Sequence, residues 1–427
     1  MYDQIKDAIR LSLAGLLLLA GAAAADTLTL QEAIAEAQGS NPGLAAIKLR
    51  AKALAEIPSQ AGALLDPRLS LNVTNLPLDS FSLTQEGMSQ IQIGITQTLP
   101  YPGKLALQSQ LAELEANVAE SEIYELQLQL TRDVKTVWWN LFYLDRALEA
   151  VARNQTLLEQ FVRIAETRYQ VGQGLLQDIL LAQLELSRLH DSDIRLHNMR
   201  DNEASRLNVL LGRSSSHVIQ IPASVNEQPP TLIDEDVLQQ HAITRHPNLL
   251  SQRHRTEAAR TRIDLALKDY VPDFTVGAVY GFRSGDNVNG SRRADLGTVI
   301  LSMSLPFHSS SKQDRAVDQR NAEWMQQKYQ LDDYRNQTIF EVKRAINDYR
   351  YGNKQVVLFK NEIVPQARQT VDAMLAAYQA GKVDFLNLVR SQATLYNYET
   401  EYWKAISSTN QALARLVAAV GEETVHE

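Results

Sequence analysis

From Lys104 to Gln170 the chain runs without a proline or a glycine. No other feature narrows its possible folds so far, because these are the residues that break or end helices. At 1.5 Å per residue, an unbroken helix of about 67 residues is about 100 Å long. Within the run, Leu130, Val134, Val137, Leu141, Leu144, Leu148 and Val151 step by alternating fours and threes. That is a heptad seam, which asks for a helical partner along its whole length. A later stretch carries a similar seam through Ile339, Val342, Ile346, Tyr349, Val356, Ile363 and Met374.

The second seam belongs to a duplication. Asn41-Pro42 lies over His246-Pro247 and Pro67 over Pro272, both at an offset of 205. Leu99-Pro100 lies over Leu305-Pro306 at 206. Tyr169-Gln170-Val171-Gly172 lies over Tyr378-Gln379-Ala380-Gly381, and Gly212 over Gly421, at 209. Landmarks in one order at nearly one offset indicate two copies of a single plan. The reading gives a first repeat over 26–212, a linker over 213–233, a second repeat over 234–421 and a tail over 422–427. Each repeat opens with a short amphipathic helix. Two strands with period-2 alternation follow, over about 69–98 and about 273–305. The helical hairpins 104–211 and 312–420 complete the repeats. Polar loops over 79–89 and 284–294 join the strands. The returning helix, from about Leu175 to Leu211, is half as long as its partner, and the short opening helix supplies the missing length.

The fold class is therefore mainly helical with a small β part. Four strands per chain cannot close a membrane barrel, which starts at about eight strands, so several chains must pool them. Dimers would give eight strands and trimers twelve. A soluble coiled-coil protein carrying two hairpins fits the same alternation and stays open at this point.

Residues 1–25 read as a secretory signal. Lys6 and Arg10 precede the apolar run Leu11–Ala25, which ends in small residues before Asp26 and is short of the roughly 20 residues that span a bilayer. The chain has no cysteine, which excludes disulfides, thiolate metal sites and a lipidated cysteine. With a net charge of −8 it offers no basic field for nucleic acid.

The duplicated strand-strand-long-helix plan resembles the TolC-type outer-membrane factors over nearly the whole mature chain. Two segments sharpen the likeness: RYQVGQGLLQDILLAQLELSRL at 168–189 and AYQAGKVDFLNLVRSQATLYNY at 377–398. Both look like that family's helix-turn-helix tips. LPYPGKL at 99–105 resembles the heavy-metal branch, the CzcC-like and CusC-like factors. The resemblance implies a homotrimer with a shared twelve-stranded barrel in outer-membrane lipid and a twelve-helix periplasmic tunnel. It implies two partners, a periplasmic adaptor and an inner-membrane RND transporter, with metal cations as cargo. An export duct for drugs or secreted proteins is the alternative. The tips Tyr169, Gly172, Gly174, Tyr378 and Gly381 become the expected adaptor contacts. There, positive φ and close backbone approach are expected to demand glycine. Asp178, Asp384 and Arg390 become the expected charges of the tunnel aperture. Unlike many relatives, this chain has Asn387 and Arg390 in its second tip, so a full ring of second-repeat carboxylates does not carry over.

No enzyme is expected, and no cofactor or resident metal. Neither a P-loop nor an H-E-x-x-H motif is present. His190 and His197, two helical turns apart near Asp191 and Asp193, read as solvated surface rather than ligands. His241 and His246 read as surface or capping residues, and Trp138 and Trp139 as helix packing. A periplasmic adaptor is the rival class, but one hairpin plus Gly-rich β-modules would leave the duplicated strand pairs unexplained. An enzyme or cell-wall-binding protein on a coiled-coil scaffold lacks any catalytic group.

Overall fold

A computed structural model describes residues 27–226, 230–422 and 425–426. The signal segment 1–25 lies outside them, as does part of the 213–233 linker. The first repeat begins with α1 (Leu30–Ser40), α2 (Pro42–Ala55) and a single turn α3 (Ile57–Ala61). It continues with β1 (Arg68–Thr74), β2 (Gln90–Leu99), α4 (Lys104–Gln170) and α5 (Leu176–Leu210). The second comprises α6 (Glu235–Arg245), α7 (Pro247–Leu267), β3 (Phe274–Phe282) and β4 (Leu296–Met303), then α8 (Gln313–Leu358), α9 (Val364–Gln379) and α10 (Phe385–Val420). The short helix expected at the head of each repeat is thus a pair of helices split at Asn41-Pro42 and at His246-Pro247. Both prolines sit at a first helical position, where the missing N–H costs nothing. Asn41 Oδ1 accepts from the Leu44 N–H at 3.1 Å, and His246 Nδ1 accepts from the Asn248 N–H at 3.2 Å. The two residue types do one capping job.

The chain divides into two compact units. One comprises the residues up to Ala45, Leu126–Ile243 and those from Thr338 onward. Among its described residues it contains helices and connecting segments and no strand, only an isolated bridge between Leu232 and His426. Val134, Val137, Leu141, Leu144 and Val151 of the expected seam are fully or almost fully buried there. Trp138 stacks on Phe142 at 6.1 Å, and Trp139 and Trp403 meet the same ring edge-on. The Trp138 indole N–H donates to the Leu28 carbonyl at 3.0 Å, so this aromatic bulk is helix packing with its polar atom satisfied. The second seam is displaced partway. A wide turn over Phe359–Ile363 separates α8 from α9 just ahead of Pro365. Proline lacks the N–H that a regular helix would use, and the wide turn absorbs one extra residue. Beyond it the buried stripe runs through Ala367, Val371 and Tyr378. Ile363 and Met374, which the unbroken heptad pattern selects, are only half-buried.

The other unit spans Ala46–Glu125 and Thr244–Gln337 and holds the strands. They form one antiparallel sheet in the order β1-β2-β3-β4. The central pairing, Ile91 with Phe282 through Leu99 with Phe274, joins the second strand of one repeat to the first strand of the other. At its base stands a polar cluster built from the LPYPGKL segment. Asp273 accepts from the Tyr101 backbone N–H at 2.8 Å and from Lys104 Nζ at 2.9 Å, and Lys104 also reaches Asp269 at 3.0 Å. Burial disfavours the Lys104 charge, but its bonds to the two carboxylates outweigh that and hold its pKa above the ordinary value. Burial likewise opposes the Asp273 charge, and the Tyr101 N–H and Lys104 overcome it and hold that carboxyl low. The Asp273 contribution is complete above the unfolded carboxylate pKa of about 3.9 and disappears as pH falls through the lower folded value. The Lys104 contribution is complete below the unfolded pKa of about 10.4 and disappears as pH rises through the higher folded value. Replacing Asp273 by Asn should destabilise the protein by about 1–3 kcal/mol in urea unfolding near neutral pH, because it leaves a buried ammonium short of its partner. The difference from wild type should shrink below about pH 4.

Candidate functional site

The register sorts the sheet into two unlike faces. Leu69, Leu71 and Val73 stand opposite Ile95, Ile93 and Ile91. These continue across the sheet to Ala278, Tyr280 and Phe282, and Val276 stands opposite Leu301. This face is apolar and uncovered: Leu69 is 74% exposed and Val299 87%. The opposite face carries Ser70, Asn72, Thr74, Gln90, Gln92, Thr96, Thr98, Thr275, Thr298 and Ser302. That polar face is also crowded. A Cβ on Gly94 would lie 2.9 Å from Ser70 Oγ and from Val279 Cγ2, and one on Gly277 would lie 2.7 Å from Thr96 Cγ2. Side chains converge on the inner side of a curled sheet, so glycine there relieves the crowding and the polar face is the concave one. An apolar outside and a polar inside are the two faces of a strand set that meets lipid on one side and water on the other. Among the described residues, β1 and β4 have no strand on their outer edges. The joining loops are tied to each other: Arg283 donates to the Gly87 carbonyl at 2.5 Å, and Arg293 to those of Thr84 and Glu86 at 3.3 and 3.1 Å.

In the helical unit, the two turns singled out by the repeats share one geometry. After α4, the Gly172 N–H donates to the Tyr169 carbonyl at 3.0 Å and the Gln173 N–H to that of Arg168 at 2.8 Å. After α9, Gly381 donates to Tyr378 at 2.9 Å and Lys382 to Ala377 at 2.9 Å. This is the Schellman ending, with its glycine at φ +73° in one turn and +70° in the other. Space is not the constraint expected at these two positions. Nothing lies within 4 Å of a Cβ added at Gly172, and the nearest atom to one at Gly381 is an Arg168 nitrogen at 3.5 Å. Backbone angle alone selects glycine there. Close approach applies instead at Gly174, where an added Cβ would sit 3.0 Å from the Tyr169 nitrogen.

The turns are alike in backbone and unlike in side chains. Tyr169 is 47% exposed, whereas its counterpart Tyr378 is 4% exposed and packs on Phe385 at 5.1 Å. Burial pushes the Tyr378 hydroxyl pKa up, and the Asp178 carboxylate adds to this. Asp178 lies in the first turn of α5 and Asp384 immediately precedes α10, both at helix ends that favour negative charge. An open cleft of about 560 Å³ brings Asp178 and Asp384 together with Arg168, Tyr378 and Gly381. Arg390 is exposed on α10 and does not line this cleft.

Sequence reasoning passed over Arg168. Its guanidinium lies over the Tyr378 ring at 4.8 Å and donates to the Tyr378 carbonyl, to the Gln379 carbonyl at 3.5 Å and to the Gln173 carbonyl at 3.3 Å. One side chain thus serves the last carbonyls of α9, groups a helix cannot satisfy internally, and a carbonyl in the turn that follows α4. The available signal was a break in the repeat, since the counterpart of Arg168 is Ala377. Elsewhere, His197 Nδ1 sits 3.0 Å from the Asp193 carbonyl and His190 is exposed. Among the described residues no group of three or more His, Asp or Glu is arranged to hold a metal, and no helix is long and apolar enough to cross a membrane.

A sheet with a lipid-type face, on a chain of duplicated long helical hairpins, defines a class of membrane channel subunit. The chain belongs to the outer membrane efflux protein family, whose model matches residues 33–213 and 238–422, one stretch in each repeat. It is therefore an outer-membrane efflux channel and not an enzyme. It is 24% identical to the alkaline protease secretion protein AprF of Pseudomonas aeruginosa, over 81% of this chain and 68% of that one. It is 20% identical to the cobalt-zinc-cadmium resistance protein CzcC of Cupriavidus metallidurans, over 93% of this chain and 91% of that one. In fold it matches the outer membrane protein VceC of Vibrio cholerae with a TM-score of 0.76 at 18% identity, covering 92% of this chain and 96% of that one.

Replacing Arg168 by Ala should leave the α9 turn in place but loosen it. Amide hydrogen exchange at Gly381 and Lys382 should quicken by about tenfold, the equivalent of one net hydrogen bond of about 1.4 kcal/mol. Exchange at those amides unchanged from wild type would show that the guanidinium contacts carry no energy.

Proposed function

We propose that the chain assembles as a homotrimer into a passive export duct for a tripartite efflux system. It would take substrate from an RND pump and a periplasmic adaptor and release it outside the cell. The observation that carries this is the sheet, apolar on its convex face, polar on its concave face, with both edges unpaired. In lipid an open edge leaves backbone N–H and C=O groups unsatisfied, each at a cost of several kcal/mol, so a membrane sheet must close. Four strands cannot close, whereas three copies give a twelve-stranded barrel with β4 of each protomer beside β1 of the next. The duplicated units 26–212 and 234–421, joined by 213–233, then place two helical turns per protomer in one ring of six. Tyr169, Gly172, Gly174 and Gly381 form the surface that an adaptor's helical hairpins grip, whereas Tyr378, expected among these contacts, is buried beneath the turn and supports it from within; Asp178, Asp384 and Arg390 supply charge at the aperture. Mass measurement in mild detergent should give three chains, and a monomer stably inserted in bilayers would overturn the reading. Asp178→Asn combined with Asp384→Asn should lower cation preference in single-channel recordings, most clearly at low salt where screening is weak. Unchanged selectivity at low salt would remove these carboxylates from the aperture.

For cargo, metal cations have the support of the LPYPGKL segment and of similarity to CzcC along nearly the full length of both chains. A secretion duct for protein is the second reading, favoured by the higher identity to AprF. Deleting the gene should lower tolerance to zinc, cobalt and cadmium and raise cell metal content, with secreted protein unchanged. Loss of a secreted protein with normal metal tolerance would transfer the assignment to the second reading.

A further inference from the structure

Toward the turns, the buried stripe of α4 runs Leu144, Ala147, Val151, Asn154, Leu158, Phe161, Ala165. That of α10 runs Phe385, Leu388, Gln392, Leu395, Glu399, Tyr402, Ile406. Both alternate threes and fours without a break, which is strict heptad spacing. Asn154 is the one polar residue in the first stripe, 4% exposed. Gln392, 3% exposed, and Glu399 come one heptad apart in the second. These exceptions meet one another. Gln392 Nε2 donates to Asn154 Oδ1, and Asn154 Nδ2 donates to the Ala150 carbonyl at 2.7 Å. Glu399 accepts from Arg368 of α9 at 2.6 Å and pairs with Arg153 of α4 at 3.8 Å. Adjacent residues 153 and 154 of one helix thus address positions 399 and 392 of the other.

We propose that the Asn154–Gln392 amide pair, seconded by Glu399 with its two arginines, is a register lock. It fixes how far the second hairpin sits along the first, and with it the relative height of the Gly172 and Gly381 turns. Apolar heptads still pack after a slip of seven residues, because apolar side chains meet apolar side chains again. α4 and α10 run antiparallel here, so a slip in either direction sets Gln392 against Ala147 or Phe161. It also removes Asn154 from its amide partner. One slip strands both amides in an apolar layer, where unsatisfied polar groups are costly, and the other strands Gln392 against Phe161 while setting Asn154 against Glu399. A polar residue at one core position of a coiled coil acts in this way, fixing register at some expense of stability. The inference does not depend on what the turns bind.

The chain has no cysteine, so spin labels can be placed at will. Labels on the exposed positions Gln160 and Thr394, with labelled chains diluted in an excess of unlabelled ones, report the intrachain distance between α4 and α10. Wild type should give one narrow distance. Asn154→Leu with Gln392→Leu should fold, resist heat better than Asn154→Leu alone, and add a second population displaced by about 10 Å, one heptad at 1.5 Å per residue. The exchange Asn154→Gln with Gln392→Asn keeps an amide pair and should keep the single distance. A double-leucine protein with only the wild-type distance would overturn the proposal and leave the pair as a satisfied polar contact without a role in register.

Discussion

Backbone hydrogen bonding at a sheet edge is the constraint from which the rest follows. A lone β-sheet has two edges, each a row of donors and acceptors, and a lipid phase has nothing to offer them. This sheet has four strands and two free edges, so its stability in a membrane lies outside the single chain. The strand faces agree with that reading. Leu69, Leu71, Val299 and Leu301 stay largely uncovered, whereas in a soluble domain an apolar face of that size would be buried under helices. The polar concave face explains why glycine recurs on these strands. Gly94 and Gly277 let the sheet curl where Ser70, Val279 and Thr96 would otherwise collide with a Cβ.

The helices face a different form of the same demand. α4 must keep a buried stripe over a length at which the heptad positions of a straight helix drift by about 20° per heptad around its axis. The second repeat meets this with the wide turn at Phe359–Ile363, which advances the buried stripe by one residue ahead of Pro365. The first repeat keeps one continuous helix, and its buried stripe takes Ala147 where the heptad pattern selects the half-buried Leu148, then passes through Asn154. Long apolar seams have a second weakness, the near-equivalence of their heptads. Polar residues placed at Asn154, Gln392 and Glu399 remove that degeneracy.

Much of this was legible in the sequence, and the reasons are physical. The run from Lys104 to Gln170 had no alternative to helix, and the helix has those bounds. Period-2 alternation located the strands because each face has a different solvent. The sequence could not show that β2 pairs with β3, because that pairing joins residues far apart in the chain. Nor could it show the displaced second seam, since one proline in a heptad pattern does not announce whether the helix will kink, end or widen. At the turns, positive φ at Gly172 and Gly381 was legible from the repeat, while the partners of Arg168 were not, although its mismatch with Ala377 marked the position. A lone arginine ahead of a Tyr-x-x-Gly motif has the look of solvated charge until the carbonyls of Tyr378 and Gln379 are seen beside it.

Duplication followed by divergence accounts for what the turns do differently. The backbone solution is shared, two Schellman endings with the same pair of hydrogen bonds. The side chains have parted at matching positions: Arg168 against Ala377, Leu175 against Asp384, Asp178 against Asn387, Leu181 against Arg390. No charged residue in this set faces a charged counterpart. Equal turns with equal charges would repel across a closed ring, because like charges at short range disfavour one another. Unequal ones let the first repeat reach the second through Arg168, with nothing equivalent reaching back. The pair of turns in one chain is therefore asymmetric in its ties, although it is nearly symmetric in its backbone. Any ring built from such pairs repeats two kinds of junction, one within a protomer that carries the arginine and one between protomers.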